Sequence, residues 1–387
     1  MRFATKALRV AQTPEGTYRP VVPPLVQSTT YAWNNLDEIP EIDYTRCQNP
    51  NRKILEEVLA SMENGLRCTL FSSGMAAISA TFSLLQQGDH LILANDIYGG
   101  TFRLAEKYLP RQGVSFSSFD AQNPSSLEDV IQPNTKLLIF ESPTNPTLRV
   151  PDIRAITEIA KKHGIITVFD NTFASPANQT PLDLGVDIVV HSTTKYISGH
   201  SDVVGGATIT NNAEIGEWIY EWNKAIGANP SPFDCWLSIR GLRTLACRID
   251  RHNQNAQAVA EFLATQPAVK RVHYPGLPDH PDHEVAKSQM RGFGGMVSFE
   301  LETEAAARAV AESTRIFLLA ESLGGVESLV AYPPLMSHAT MTEEQRLERG
   351  IPPTMLRLSV GVEDIEDLLE DLQHALAQIP VQQAILR

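Results

Sequence analysis

Lys195 lies in the run His191-Ser192-Thr193-Thr194-Lys195-Tyr196-Ile197-Ser198-Gly199-His200, and Asp170 closes the apolar run Ile165-Ile166-Thr167-Val168-Phe169. An amine preceded by hydroxyls, and an acid at the end of a strand-like segment, complement one organic group. The amine condenses with an aldehyde, the Ser192 and Thr194 hydroxyls receive a phosphate, and the acid keeps a pyridine nitrogen protonated. These are the needs of pyridoxal phosphate, with Lys195 as its Schiff-base lysine and Asp170 sustaining the ring as an electron sink. Each residue also has a plain structural reading: lysine is usually solvated, and a strand-end acid often caps its own turn, here with Asn171 and Thr172.

The elements that must position these groups follow from the hydrophobic pattern. Leu91–Ala94, Leu137–Phe140, Ile165–Phe169 and Val186–Val190 are short apolar runs separated by helix-like stretches, the pattern of a mainly parallel sheet covered on both faces. Ligands of such sheets bind at the carboxyl ends of the strands. Polar residues stand at all of these ends: Asn95-Asp96, Glu141-Ser142, Asp170-Asn171 and His191-Ser192. In Phe71-Ser72-Ser73-Gly74-Met75-Ala76, small residues separate a strand-like run from a helix, so that unpaired amides at the helix start can bind phosphate. In Asp96-Ile97-Tyr98-Gly99-Gly100-Thr101 the glycines admit a ligand close to the backbone, and Tyr98 can lie on a cofactor ring with its hydroxyl serving acid–base chemistry.

With 387 residues the chain exceeds the usual size of a single core, and its 43% hydrophobic and 20% charged residues are those of a soluble globular protein. A formal charge of −13 argues against sequence-independent nucleic-acid binding. The first residues lack the apolar core of a signal peptide and no segment reads as a membrane span, so the expected location is the cytoplasm. Cys47, Cys68, Cys235 and Cys247 show no metal-like spacing and are expected as thiols. His280 and His283 lie among prolines, which reads as a surface turn, and no metal is expected. The stretch to Asp43 reads as an extended arm. A long helix over about 233–265 leads to a smaller α+β domain, with helices at 304–313 and 364–377 and strands at 296–300 and 355–360. The predicted organisation is an arm over 1–45 reaching a neighbouring subunit, a cofactor domain over 46–243 and a C-terminal domain over 244–387.

Seven motifs recur in one order: Tyr44-Thr45-Arg46, Ser72-Ser73-Gly74-Met75, Asp96 to Thr101, Glu141-Ser142-Pro143-Thr144-Asn145-Pro146, Asp170-Asn171-Thr172-Phe173, Ser192 to Asp202, and Glu321-Ser322-Leu323-Gly324-Gly325. On them the chain resembles the Cys/Met-metabolism family of fold-type I pyridoxal phosphate enzymes, from about Val22 to Gly361. The resemblance implies a large α/β domain with a mainly parallel, seven-stranded-type sheet, and a smaller α+β domain that binds the substrate carboxylate. It assigns Ser72, Gly74, Met75, Ser192 and Thr194 to the phosphate, Thr172 and Asn145 to the cofactor, and Tyr98 to stacking. It assigns Tyr44 and Arg46 to the phosphate of an adjacent subunit, which makes an active dimer and a homotetramer the expected assembly. Arg357 becomes the clamp on the substrate α-carboxylate, with Glu321, Ser322, Leu323, Asn145 and Arg103 around the substrate.

Within the family, Glu321 resembles the glutamate of the γ-lyase and γ-synthase branches, and Gly100 stands where methionine γ-lyases carry cysteine. The segment Tyr44-Thr45-Arg46-Cys47-Gln48-Asn49-Pro50-Asn51 departs from the family pattern. Cys47 occupies a position that is often arginine in γ-synthases using succinylhomoserine. The leading expectation is γ-elimination of cystathionine to cysteine, 2-oxobutanoate and ammonia. γ-Replacement, with a cystathionine γ-synthase or an O-acylhomoserine-dependent enzyme as its type, is the alternative. A non-catalytic binding protein is disfavoured by the intact Lys195, Asp170, Tyr98 and Arg357 set.

Overall fold

Extended strands, which cannot satisfy their backbone N–H and C=O groups internally, pair into one sheet in the first unit of the chain. They are β1 (Arg67–Phe71), β2 (His90–Ala94), β3 (Ser115–Phe119), β4 (Thr135–Glu141), β5 (Ile166–Asp170), β6 (Ile188–Ser192) and β7 (Gly206–Thr210). The computed structural model describes residues 1–12, 18–339 and 341–380. It divides into one compact unit of Met1–Ser142 with Pro151–Cys247 and a second of Pro143–Val150 with Arg248–Arg387. Parts of the expected arm (13–17) and of the expected C-terminal domain (340, 381–387) lie outside the described residues.

The sheet order is β1-β7-β6-β5-β4-β2-β3. β2, β3, β4, β5 and β6 pair in parallel, while β7 runs antiparallel to both its neighbours. The order reverses between β2 and β4, the type of switch point outside which α/β sheets hold ligands. Leu91, Leu93, Leu137, Ile139, Val168, Ile188 and Val190 join one core cluster with Phe71, Ala77 and Ile78. Phe140 and Phe169 meet edge to face at 5.0 Å, a favoured aromatic arrangement. The sheet is therefore a rigid frame whose carboxyl ends project functional residues.

Three helices matter most for the site. In α2 (Pro50–Met62), Asn49 caps the first turn by accepting from Asn51 N–H at 2.9 Å, with Pro50 in the first helical position. In α3 (Gly74–Phe82), counted after α1 (Phe3–Arg9), Ser73 Oγ accepts from Ala76 N–H at 3.1 Å. α4 (Gly99–Tyr108) starts just after Tyr98.

α1 is a correction to the arm read as wholly extended. Its Ala7 is buried, and Lys6 Nζ donates to Ser61 O and Asn64 Oδ1 at 2.6 and 2.7 Å, so tertiary contacts rather than strong local periodicity select the helix. The long helix expected over 233–265 is two helices, Pro232–Leu242 and Leu245–Ala264. Between them Thr244 N–H bonds Gly241 O, a tightened turn that ends the first helix.

In the second unit, β8 (Val269–His273), β9 (Met296–Leu301), β10 (Leu318–Leu319), β11 (Leu329–Ala331) and β12 (Met355–Ser359) form a sheet of order β10-β11-β12-β9-β8. Helices Glu304–Ser313 and Ile365–Leu376 place Ala307, Val310, Leu368 and Leu372 in one core with Phe299 and Leu356. The segment around His280 is not the surface turn expected. His280 and Asp282 are buried because Asp282 accepts from Arg149 Nε at 2.6 Å and from Val150 N–H at 2.9 Å. Burial holds the His280 imidazole down at about 4, so it is neutral there at pH 7. Among the described residues no helix is long and apolar enough to cross a membrane.

Candidate active site

The carboxyl ends of β2, β4, β5 and β6, with the start of α3, gather the first unit's candidate residues. Asp170 is the last residue of β5, opposite Glu141 at the end of β4. Thr172 N–H donates to Asp170 Oδ1 at 3.0 Å, and its hydroxyl is also bonded to the carboxylate. That same hydroxyl accepts from Ser192 N–H at 2.9 Å. Thr172 therefore joins the acid at the end of β5 to the serine at the end of β6. Burial raises the Asp170 pKa, with the Thr172 hydrogen bonds and the nearby His191 opposing it.

Lys195 and Thr194 lie in the turn after β6. Lys195 is half-buried, its N–H bonds Ser192 O and its carbonyl accepts from Gly199 N–H at 2.8 Å. Thr194 Oγ1 accepts from Gly205 N–H at 3.0 Å, which ties this turn to the approach to β7. The lysine thus sits on a loop braced at both ends. Braced geometry is what a reacting amine requires.

At the start of α3, Ser73 satisfies Ala76 N–H, while Gly74 and Met75 N–H make no hydrogen bond among the described residues. A Cβ on Gly74 would come within 2.9 Å of Ser192 Cβ, so glycine is what permits the helix start and Ser192 to converge. Two open amides, a serine hydroxyl and a helix N-terminus fit a phosphate dianion. The Asp170 carboxyl, raised by burial against the Thr172 hydrogen bonds and the nearby His191, is an acid suited to a protonated ring nitrogen. The residues present therefore fit pyridoxal phosphate.

Tyr98 is 40% exposed, and its N–H donates to a Glu141 carboxylate oxygen at 2.8 Å. Glu141, a strand-end residue of a family motif to which the sequence gives no role of its own, thereby anchors the backbone of Tyr98. Arg103 is exposed on α4 and Ser72 is exposed, its N–H bonding Ala228 O at 2.7 Å. Tyr44 is 41% exposed, with the Arg46 guanidinium 5.6 Å from its ring centre. Cys47 is half-buried, and its carbonyl accepts from Tyr220 Oη at 3.3 Å.

The second unit presents a separate cluster. Arg357, on β12, is buried and donates from Nη1 to Asn145 Oδ1 at 2.8 Å and from Nη2 to Ser322 O at 2.9 Å. These bonds orient a guanidinium fork of the kind that binds carboxylates. Ser322 adopts φ 90°, Leu323 is buried and Glu321 is exposed in the same turn. His338, which the sequence reading passed over, is buried beside this cluster. It bonds the backbone of Asn145, and burial and the Arg357 charge hold it neutral, at about 4. Its Nδ1 is 2.8 Å from Ser337 Oγ. No spacing in Ser337-His338-Ala339 announces that role, because its partner lies almost two hundred residues upstream.

The model of the Cys/Met metabolism PLP-dependent enzymes matches residues 4–377. A cystathionine beta-lyase of Lactococcus lactis subsp. cremoris (strain MG1363) is 49% identical over 372 residues, 96% of this chain and 98% of that protein. A cystathionine gamma-synthase of Mycobacterium leprae is 48% identical over 377 residues, covering 97% of this chain and 96% of that one. Among solved structures, cystathionine gamma-lyase from Lactobacillus plantarum, complexed with L-serine, has a TM-score of 0.95 at 42% identity, over 98% of this chain and 99% of that one.

Proposed function

The chain belongs to the Cys/Met metabolism family of PLP-dependent enzymes, with its fold-type I architecture, and from that premise we propose that it cleaves cystathionine by γ-elimination. The products are cysteine, 2-oxobutanoate and ammonia, with one water consumed. Bound pyridoxal phosphate supplies the electron sink for the carbanion at the substrate Cα. The amides of Gly74 and Met75, with Ser72, Ser192 and Thr194, would hold its phosphate. Asp170, fixed by Thr172, would keep its ring nitrogen protonated.

Lys195 takes the α-proton at Nζ and moves a β-proton, each transfer requiring an amine within hydrogen-bond reach. Tyr98, with its backbone anchored by Glu141, stacks on the ring, and its hydroxyl or the Lys195 ammonium protonates the departing sulfur. Arg357 binds the α-carboxylate bidentately, its fork aligned by Asn145 and Ser322. Arg103 receives the distal carboxylate of cystathionine. We further propose that Tyr44 and Arg46 serve the phosphate of a neighbouring subunit, so that the enzyme works as a dimer within a homotetramer, and that it acts in the cytoplasm.

The observation that supports γ-chemistry on a cystathionine-type substrate is Glu321. It is an exposed carboxylate in the turn whose Ser322 carbonyl is bound by Arg357, so its charge suits the distal ammonium of a substrate with two amino-acid ends. Its type also resembles the γ branches of the family. The name of the Mycobacterium leprae relative favours γ-replacement as a second reading.

Incubation with cystathionine alone tests the proposal. Release of 2-oxobutanoate and cysteine is the expected result. Pyruvate with homocysteine would overturn it in favour of β-cleavage, the activity named for the Lactococcus relative. No cleavage, with cystathionine formed from O-acylhomoserine and cysteine, would overturn it in favour of replacement.

A further inference from the structure

We propose that Glu63 is a positioning residue for the cofactor, its carboxylate locking together the ends of β5 and β6 that present Asp170 and Ser192. The inference rests on the reading of those two residues as cofactor ligands. Glu63 is the C-terminal cap residue of α2 and is fully buried. Both features are locally unfavourable, because the negative end of a helix repels an anion and a buried carboxylate loses its hydration. A sequence that departs from local preference in this way marks a site where another demand is being met.

The partners show what that demand is. Glu63 Oε1 lies 2.6 Å from His191 Nε2 and accepts from Asn171 Nδ2 at 2.7 Å. His191 immediately precedes Ser192, and Asn171 immediately follows Asp170. One oxygen on a helix thus reaches the neighbouring residue of each ligand, on two parallel strands. The grip is reinforced on both sides, since Asn171 N–H bonds Val190 O at 3.0 Å and Asn171 Oδ1 accepts from Gln179 Nε2 at 3.2 Å. His191, Asn171 and Gln179 are all buried. None of these four side chains is used by the reaction itself.

A carboxylate only accepts, so the Glu63 contact places a proton on His191 Nε2. The imidazole in turn acts on Asp170, opposing the burial that raises that carboxyl's pKa. Among the described residues, other titratable groups near the pair include Glu141 beside Asp170 on β4 and Cys68 on β1, whose thiol is pushed up by burial and by Glu56, Glu63 and Cys235. Glu63 therefore holds in place both the imidazole that acts on Asp170 and, through Asn171, the turn that follows Asp170. Removing it frees the two strand ends and lets Asp170 take up a proton more readily.

The test measures the pyridoxal phosphate dissociation constant across pH for the parent, Glu63→Gln and His191→Asn, with far-UV circular dichroism and melting of each protein. The expected result is about a tenfold weaker affinity at neutral pH in each variant, the loss of one charge-assisted hydrogen bond. The acid limb of cofactor binding also moves to higher pH, which a uniform structural loosening would not produce. The double variant should lose little more than either single one, because the two residues act as a unit. A folded Glu63→Gln with the parental affinity and acid limb overturns the proposal. If that variant does not fold, a His191→Asn protein with the parental acid limb overturns it equally. A parent that binds no cofactor removable from Lys195 refutes the underlying reading instead, and the inference falls with it.

Discussion

Gly74→Ala probes the phosphate cup with a single methyl group. The added Cβ would stand 2.9 Å from Ser192 Cβ, 3.1 Å from its Cα and 3.2 Å from its Oγ. Carbon atoms pack at about 3.5 Å or more, so the start of α3 must retreat from Ser192 by about 0.6 Å. Ser192 cannot yield easily, since its N–H is held by Thr172 and it ends a strand paired on both sides. Overpacking of this kind costs about 1–3 kcal/mol of stability. A displacement approaching an ångström between groups that share one ligand costs up to about a hundredfold in function. The variant is expected to melt below the parent without cofactor, and to bind pyridoxal phosphate at least about tenfold more weakly in a spectroscopic titration, with kcat reduced less than affinity. Unchanged affinity and melting would refute the claim that the convergence of Gly74 and Ser192 builds the phosphate site.

Glu56 predicts a pH dependence of stability. Burial raises its carboxyl from 4.5 to about 7, against the hydrogen bond from Gln48 and the charge of Arg52. The folded state therefore holds a proton that the unfolded state has released, and stability falls as pH rises from about 4.5 to about 7 and is flat above. At about 1.4 kcal/mol per pH unit over these roughly 2.5 units the loss is at most about 3.5 kcal/mol. Denaturant unfolding at pH 5 and pH 8 should show this difference shrinking in Glu56→Gln, and an unchanged difference would contradict the assignment. Arg357→Lys keeps the charge but loses the fork held by Asn145 and Ser322. It should raise KM for cystathionine about tenfold to a hundredfold, while the absorbance of bound cofactor stays parental; an unchanged KM would remove Arg357 from the carboxylate site.

Much of the frame was legible because the central strands are buried on both faces and so are written as apolar runs, and because their polar termini mark the ligand side. The candidate cofactor residues stand out in the sequence for the same reason, as they cluster at chain positions next to those runs. β3, Ser115–Phe119, and β7, Gly206–Thr210, carry no such run. Ser117 Oγ there meets His90 Nε2 and Thr210 Oγ1 donates to Asp187 O, and Gly206 is needed because a side chain would run into the Ser73 carbonyl. α1 is selected by Lys6 and Ala7 meeting distant groups. Glu63, Glu141 and His338 escape for a related reason: each acts on a partner far away in the chain, so no local spacing records it.

The central claim is that Lys195 carries the cofactor. Borohydride reduction of the holoenzyme followed by peptide mass spectrometry tests it most directly. Loss of the visible absorbance and a single phosphopyridoxyl adduct on Lys195, absent from Lys195→Ala, are expected. An adduct on another lysine, or visible absorbance that survives reduction, would contradict it.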